Sequence, residues 1–271
     1  MPNRFTGKVC LVSGAGSGIG QETAISFARK GAKVIAADLN EEGARHTVSS
    51  IDAIGGEAVF IKSDISKRVD TEAMVQAALE HFGRLDHAVN CAGITGGVSI
   101  PTHEYPEDRW LQVIAVNLTG MWYSVKAQLN QMLKQGGGTI VNVASAAGLK
   151  GHPNNVSYSA TKHGVIGLTK TAALEYATKH IRVNAVCPTA IETPMIMDGR
   201  LNLRNNQELL EKFTNEQAMM RMGQPKEVAD VILWLSSDES SFITGHACQL
   251  MAVHLPSSWV VPGKKVNCKF G

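Results

Sequence analysis

The sequence predicts one α/β domain built on a doubly wound parallel sheet, and three observations carry that expectation. Short runs of apolar, β-branched residues alternate with longer helical stretches from the N-terminus onward. The runs are apolar throughout rather than alternating, as suits strands covered on both faces. No linker, repeat, charge block or low-complexity tract interrupts the 271 residues, so a single domain accounts for the length.

Val9–Val12 reads as a short buried strand, followed by glycine-rich sequence and a helix from about Ile19 to Lys30. Gly31 stands where a C-terminal helix cap belongs. Val34–Ala37 is the second strand, and Glu41–Ile54 the second helix, closed by Gly55 and Gly56. Ala58–Ile61, His87–Val89, Thr139–Val143 and Arg182–Val186 supply further strands. Helices fill the intervals Val69–Phe82, Asp108–Gln135 (in one piece or two) and Tyr158–Lys179. This βαβαβ order is that of a doubly wound fold.

Composition narrows the partners. Apolar residues make up 44% and charged residues 18%, ordinary for a globular enzyme with one large core. A net charge of +2 gives neither nucleic acid nor an anionic membrane anything to bind. No stretch approaches the roughly 18 uninterrupted apolar residues of a membrane span. The N-terminus lacks a signal peptide's apolar region. The five cysteines are scattered without a Cys-x-x-Cys pair, so they read as small buried residues in a reducing, cytoplasmic setting.

Gly14, Gly18 and Gly20 fall between the first strand and the first helix in a G-x-x-x-G-x-G spacing that includes Ser17 and Ile19. A helix N-terminus presents unpaired N–H groups there, and glycines let a pyrophosphate approach the backbone. The competing explanation is a plain glycine-rich turn. Asp38, beside Leu39, ends the second strand. A carboxylate there accepts hydrogen bonds from both ribose hydroxyls and repels a 2′-phosphate, and Ser17 supplies no arginine to offset the repulsion. NAD rather than NADP is the expected cofactor. Asp38 has a second use as a helix cap, for which Asn40 is better placed. Asp64, with Ile65 beyond the third strand, either receives the adenine amino group or caps the next helix.

Tyr158 and Lys162 lie four apart on one face of a helix. A phenol titrates near pH 10, and a neighbouring ammonium lowers that value toward a useful base. Ser145, beyond the fifth strand, can hydrogen-bond a substrate oxygen, and Asn117 can hold a water linking Lys162 to solvent. Each residue alone has a bland reading: an exposed Tyr, a solvated Lys, a loop Ser, a capping Asn.

Together, and in this order, the motifs resemble the short-chain dehydrogenase/reductase family, in its single-domain branch of about 250 residues. The likeness runs from about residue 5 to about residue 247. It rests on Gly14-x-x-x-Gly18-Ile19-Gly20, Asp64-Ile65, Asn90-Cys91-Ala92-Gly93, Asn117, Ser145, Tyr158-x-x-x-Lys162 and Pro188. The resemblance implies a Rossmann fold. It makes Tyr158 the catalytic acid/base, Lys162 its partner on the nicotinamide ribose, Ser145 the polarising group and Asn117 the relay. It places Asn90, Ala92 and Gly93 along the adenosine, and Ile191 and Thr193, after Pro188, at the carboxamide. Hydride passes directly between substrate and cofactor, with no metal. A homotetramer built partly on the Asp108–Gln135 and Tyr158–Lys179 helices is implied, as is a substrate lid over residues 189–222, rich in methionine and leucine.

The expected activity is NAD-dependent interconversion of a small or medium secondary alcohol and its ketone. A 3-ketoacyl-carrier-protein reductase would need basic residues to dock its carrier. Gln135-Gly136-Gly137-Gly138 and Ala172-Ala173-Leu174 stand there instead. A catalytically idle NAD-binding sensor or scaffold should have lost one of the four catalytic residues, and all four are present.

Three positions depart from the family pattern. Cys91 replaces the usual second asparagine, and Thr189 the glycine after Pro188. After Ala247, where Val-Asp-Gly-Gly is expected, the chain continues Gln249-Leu250-Met251-Ala252. Codons permitted for residues 249–258, CAG TTG ATG GCG GTT CAT TTG CCC AGT AGT, give another message two nucleotides later. They then read GTT GAT GGC GGT TCA TTT GCC CAG TAG, which is Val-Asp-Gly-Gly-Ser-Phe-Ala-Gln and a stop. The expectation is a catalytic domain over 1–247 and an atypical tail over 248–271, either native or frame-shifted; a shifted tail should be peripheral.

Overall fold

The computed structural model describes residues 3–199 and 202–250. Seven strands form one parallel sheet in the order β3-β2-β1-β4-β5-β6-β7. They are β1 (Val9–Ser13), β2 (Lys33–Asp38), β3 (Glu57–Lys62), β4 (His87–Asn90), β5 (Gly138–Val143), β6 (Ile181–Pro188) and β7 (Ala247–Leu250). The order reverses between β1 and β4, opening a crevice at the carboxyl ends of the strands. Every strand expected from its apolar run is present. β7 is additional.

Two hydrophobic cores cover the two faces of the sheet. On one face α1 (Gly18–Arg29), α2 (Glu41–Asp52) and α9 (Pro225–Ser236) bury Phe27, Ile51 and Ile232. On the other face α3 (Arg68–Phe82), α5 (Met121–Gln135) and α6 (Val156–Tyr176) bury Met74, Met121 and Val165. The strands are sandwiched between them, which is why their sequences carry no polar alternation.

Helix boundaries differ from the expectation in two places and agree at a third. Asn40 caps α2 by accepting from the Gly43 N–H, as its placement suggested. α6 begins at Val156, two residues before Tyr158, so Tyr158 and Lys162 lie in its first two turns. The run expected over Asp108–Gln135 is α4 (Glu107–Ile114) and α5, joined through a π-helical segment at Ala115–Gly120. Asn117 sits inside that segment. π-turns tend to mark functional positions because they re-aim a side chain within an otherwise continuous helix.

The first residues of the expected tail belong to the sheet. Cys248, Gln249 and Leu250 belong to β7, with Cys248 opposite Val186 and Leu250 opposite Pro188. Strand pairing needs only backbone groups, and Cys248 and Leu250 also pack on the second core. The frame-shift expectation covers residues 248–271, of which 251–271 lie outside the described residues.

Beyond β6 the chain forms α7 (Pro194–Met197) and α8 (Gln207–Asn215) around a third, separate core of Ala190, Leu203 and Met222. Among the described residues no helix is long and apolar enough to cross a membrane.

Candidate active site

At the reversal point a cleft of about 530 Å³ opens over the carboxyl ends of the strands. Its floor is the turn between β1 and α1. Gly14 (φ +72°) and Gly18 (φ +54°) take left-handed conformations that favour glycine. A Cβ on Gly14 would lie 2.7 Å from the Ala92 nitrogen, and one on Gly20 only 1.9 Å from the Gly14 carbonyl oxygen. The loop therefore folds tightly enough to aim the first N–H groups of α1 into the cleft. The N-cap Ser17 makes no side-chain cap. Those donors are left for an anion.

Asp38 closes the far side. Its Oδ2 accepts from the Gly16 N–H at 2.7 Å and its Oδ1 from the Asn40 N–H at 2.8 Å. One lone pair on each oxygen remains, and the residue lines the cleft with the exposed Leu39. Asp64 does not cap α3, whose N-cap is Lys67; its carboxylate is held within the preceding loop. Its Oδ1 accepts from the Ser66 N–H at 3.1 Å and from the Ser66 hydroxyl at 2.6 Å, and it also borders the cleft. These bonds hold its carboxyl below the usual range against a smaller effect of burial.

Ser145, Tyr158 and Lys162 meet at the other end. The Ser145 hydroxyl hydrogen-bonds the Tyr158 phenol and accepts from the Ala147 N–H at 3.1 Å. Lys162 Nζ lies 5.4 Å from the Tyr158 ring centroid and donates to the Val143 carbonyl at 2.8 Å. Burial lowers the lysine from 10.5 to about 8, opposed by weaker effects of Cys91 and Cys187.

The phenol departs from expectation. In the free protein burial pushes Tyr158 up, with only the Ser145 hydrogen bond acting downward. The Lys162 ammonium is hydrogen-bonded to the Val143 carbonyl while lying over the phenol ring. Val143 gave a usable signal, since the carbonyl of a strand's last residue has no onward partner in the ladder.

Two predicted site residues do not line the cleft. Asn90 is buried and its side chain is committed elsewhere. Nδ2 donates to Gln128 Oε1 (3.0 Å) and Asn142 Oδ1 (2.9 Å), while Oδ1 accepts from Gln128 Nε2 (2.8 Å). Its side chain ties β4 to β5 and α5. Asn117 is fully buried, with its carboxamide bonded both ways to the backbone of Ile94 at 2.8 Å. It is still near the chemistry. A Cβ on Gly93 would sit 3.2 Å from Asn117 Oδ1 and 3.8 Å from Lys162 Nζ. One N–H and one lone pair of Asn117 remain for a water beside Lys162.

The other expected residues all border the cleft: Gly14, Ser17, Gly18, Ile19, Gly20, Asp38, Leu39, Asp64, Ile65, Ala92, Gly93, Ser145, Tyr158, Lys162, Pro188, Ile191 and Thr193. Sequence reasoning did not single out Ser63, Ile94 or Ala115, which also line it. Their apolar or small side chains carry no motif. Among the described residues no group of three His, Cys, Asp or Glu is placed to hold a metal ion. The glycine cradle, free helix N-terminus and strand-end carboxylate fit a dinucleotide.

Comparisons with known proteins agree with this geometry. A family model described as enoyl-(acyl carrier protein) reductase matches residues 14–250. The chain is 44% identical over 245 residues to a cyclohexanol dehydrogenase of an Acinetobacter species, covering 90% of this chain and 94% of that one. It is 41% identical over 247 residues to a 3-oxoacyl-acyl-carrier-protein reductase of Thermotoga maritima, covering 89% and 95%. The crystal structure of levodione reductase superposes with a TM-score of 0.88 at 35% identity, covering 92% of this chain and 97% of that one. With Tyr158, Lys162 and Ser145 gathered beside a dinucleotide cradle, the chain belongs to the short-chain dehydrogenase/reductase family of oxidoreductases.

Proposed function

We propose that this protein is an NAD-dependent dehydrogenase that interconverts a secondary alcohol and its ketone. The observation that carries the reading is the convergence of Ser145, Tyr158 and Lys162 in the cleft that Asp38 closes. When bound, the oxidised cofactor supplies the hydride acceptor and a positive charge beside the phenol. Ser145 holds the substrate oxygen and Tyr158 takes its proton. Lys162 holds the ribose and keeps a cation close to the phenolate. The Asn117 water passes the proton outward.

Asp38 supports NAD over NADP. Its remaining lone pairs suit ribose hydroxyls, and no arginine at Ser17 neutralises a 2′-phosphate. The apolar wall of Ile94, Met195 and Ile196 supports a neutral, apolar alcohol, as acted on by the cyclohexanol dehydrogenase relative. The carrier-protein reductase relative keeps a second reading in view. The glycines at 136–138 and the exposed Leu174 offer an acidic carrier no docking charge. Exposed Trp110, Leu111 and Trp122 on α4 and α5 support a homotetramer. Free Cys10, Cys91, Cys187 and Cys248 support a reducing cytoplasm.

The test is cofactor reduction across secondary alcohols, sugars, hydroxysteroids and cyclic diols, with NAD and NADP compared, beside reduction of a 3-ketoacyl thioester. The expected outcome is turnover of cyclic secondary alcohols with NAD clearly preferred. Tyr158→Phe should lower kcat by roughly 10²-fold or more while NADH titration stays near wild type. Equal efficiency with NADP, activity confined to the thioester, or substantial turnover by Tyr158→Phe each defeats the reading.

A further inference from the structure

The segment after β6 is held together by its own core. Ala190, Leu203 and Met222 are buried among Ile196, Met197, Leu209, Leu210 and Phe213, apart from both sheet-face cores. It joins the domain through a short parallel bridge. The Glu192 N–H donates to the Gly223 carbonyl and the Gly223 N–H to the Ala190 carbonyl, both at 2.9 Å. A Cβ on Gly223 would lie 2.6 Å from Ile191 Cδ1, so a side chain there would push that methyl aside. Met195 and Ile196 of this segment form part of the cleft wall that also includes Tyr158. Where the segment sits therefore sets the room left for a substrate.

Thr189 stands at the root of this segment, where glycine was expected. Its N–H donates to the Leu250 carbonyl at 3.1 Å. Its hydroxyl lies 3.4 Å from that same carbonyl and 3.4 Å from Gln217 Oε1. Gln217, only 5% exposed, sits beyond α8 and also reaches the Phe213 carbonyl through Nε2 at 3.4 Å. One hydroxyl proton thus faces two acceptors, one on the lid segment and one on the last strand. Both separations are at the long end for a hydroxyl, so neither acceptor holds the proton strongly. When Gln217 moves off, Leu250 still satisfies the donor. Release therefore leaves no buried hydroxyl unpaired.

We propose that Thr189 is a positioning residue for the alcohol: its hydroxyl seats Gln217, and the segment's core transmits that seat to the wall at Met195 and Ile196. A glycine at 189 has no such group, so this hydrogen bond belongs to the present chain. The proposal rests on the alcohol reading for its kinetic consequence and is independent of it for its structural one.

The test compares Thr189→Val, which keeps the volume and loses the hydroxyl, with Thr189→Ser, which keeps the hydroxyl. Hydrogen–deuterium exchange over residues 207–217 is measured without substrate, and steady-state kinetics use cyclohexanol and NAD. Thr189→Val should speed exchange in that stretch at least fivefold. It should raise the KM for cyclohexanol at least fivefold, with kcat within twofold. Thr189→Ser should restore both values toward wild type, and Gln217→Met should reproduce the valine variant from the other side. Unchanged exchange in Thr189→Val, a serine variant resembling valine, or a Gln217→Met variant resembling wild type would overturn the proposal. If exchange responds as stated while no alcohol is oxidised, the latch stands and the alcohol reading falls.

Discussion

Lys162 carries its ammonium into a site where it is 4% exposed and donates to the Val143 carbonyl. Burial takes it from 10.5 to about 8, so below pH 8 the folded protein bears the cost of a desolvated charge. Between pH 8 and 10.5 the unfolded chain holds the proton and the folded chain has lost it. The lysine's penalty therefore fades as pH rises through that window. Tyr158 and the thiols of Cys10, Cys91, Cys187 and Cys248 act in the opposite sense. Burial raises each of them, so alkali costs the folded state more. The readout is thus a difference between two proteins. Lys162→Met should be more stable than wild type at pH 7, and that advantage should shrink by about 1 kcal/mol at pH 9. Urea midpoints at the two pH values check it; an advantage independent of pH would mean that the ammonium is better solvated than its burial implies.

At the scale of elements, the strands were legible because burial on both faces leaves nothing but apolar residues along them. Helix starts were legible where a cap marks them, as Asn40 does for α2. The π-helical segment at Ala115–Gly120 was not, since periodicity registers one amphipathic helix and not a single inserted residue. Asn90 shows a second limit. Its motif placed it correctly at the end of β4, but spacing along a chain does not say which way a strand-end side chain turns. It turns inward, into a buried network continued by Asn142 Nδ2 to Thr169 Oγ1 at 3.0 Å and Thr169 Oγ1 to the Val165 carbonyl at 2.8 Å. β4, α5, β5 and α6 are thereby fastened together beneath Tyr158 and Lys162. Gln128→Leu removes the donor to Asn90 Oδ1 in a place water does not reach. It should cost about 2 kcal/mol of unfolding free energy, read from urea denaturation. A loss well under 1 kcal/mol would show that the network relaxes around the missing amide.

Across the whole molecule, the two ends of the sheet have different standing. β1 to β6 carry the motifs, and the cleft stands on them. β7 closes the edge with Ala247–Leu250 paired to β6, and its contribution near the cleft is made by a backbone group, the Leu250 carbonyl that meets Thr189. A backbone carbonyl is indifferent to the side chain that follows it. The backbone pairing therefore does not discriminate between the present ending and one that reads Val-Asp-Gly-Gly, although the Cys248 and Leu250 side chains also pack on the second core. Permitted codons leave both endings open, and the nucleotides decide between them. The residues after Ala247 can be encoded by nucleotides that, read two positions later, spell the family-like ending Val-Asp-Gly-Gly-Ser-Phe-Ala-Gln and then stop. The expected outcome, to be read from the genomic DNA at codons 247–258, is that second message, making residues after about Ala247 the product of a shifted frame. Everything through Thr193 lies upstream, so Tyr158, Lys162, Ser145 and the dinucleotide cradle are the same in either frame. Protein expressed from the restored frame should keep the same cofactor preference and should gain stability where the C-terminus meets the sheet or a second subunit. Sequencing settles the matter before any protein is made. A shifted frame that lacks Val-Asp-Gly-Gly would show the present tail to be native, and its selection would then need an explanation in packing or assembly.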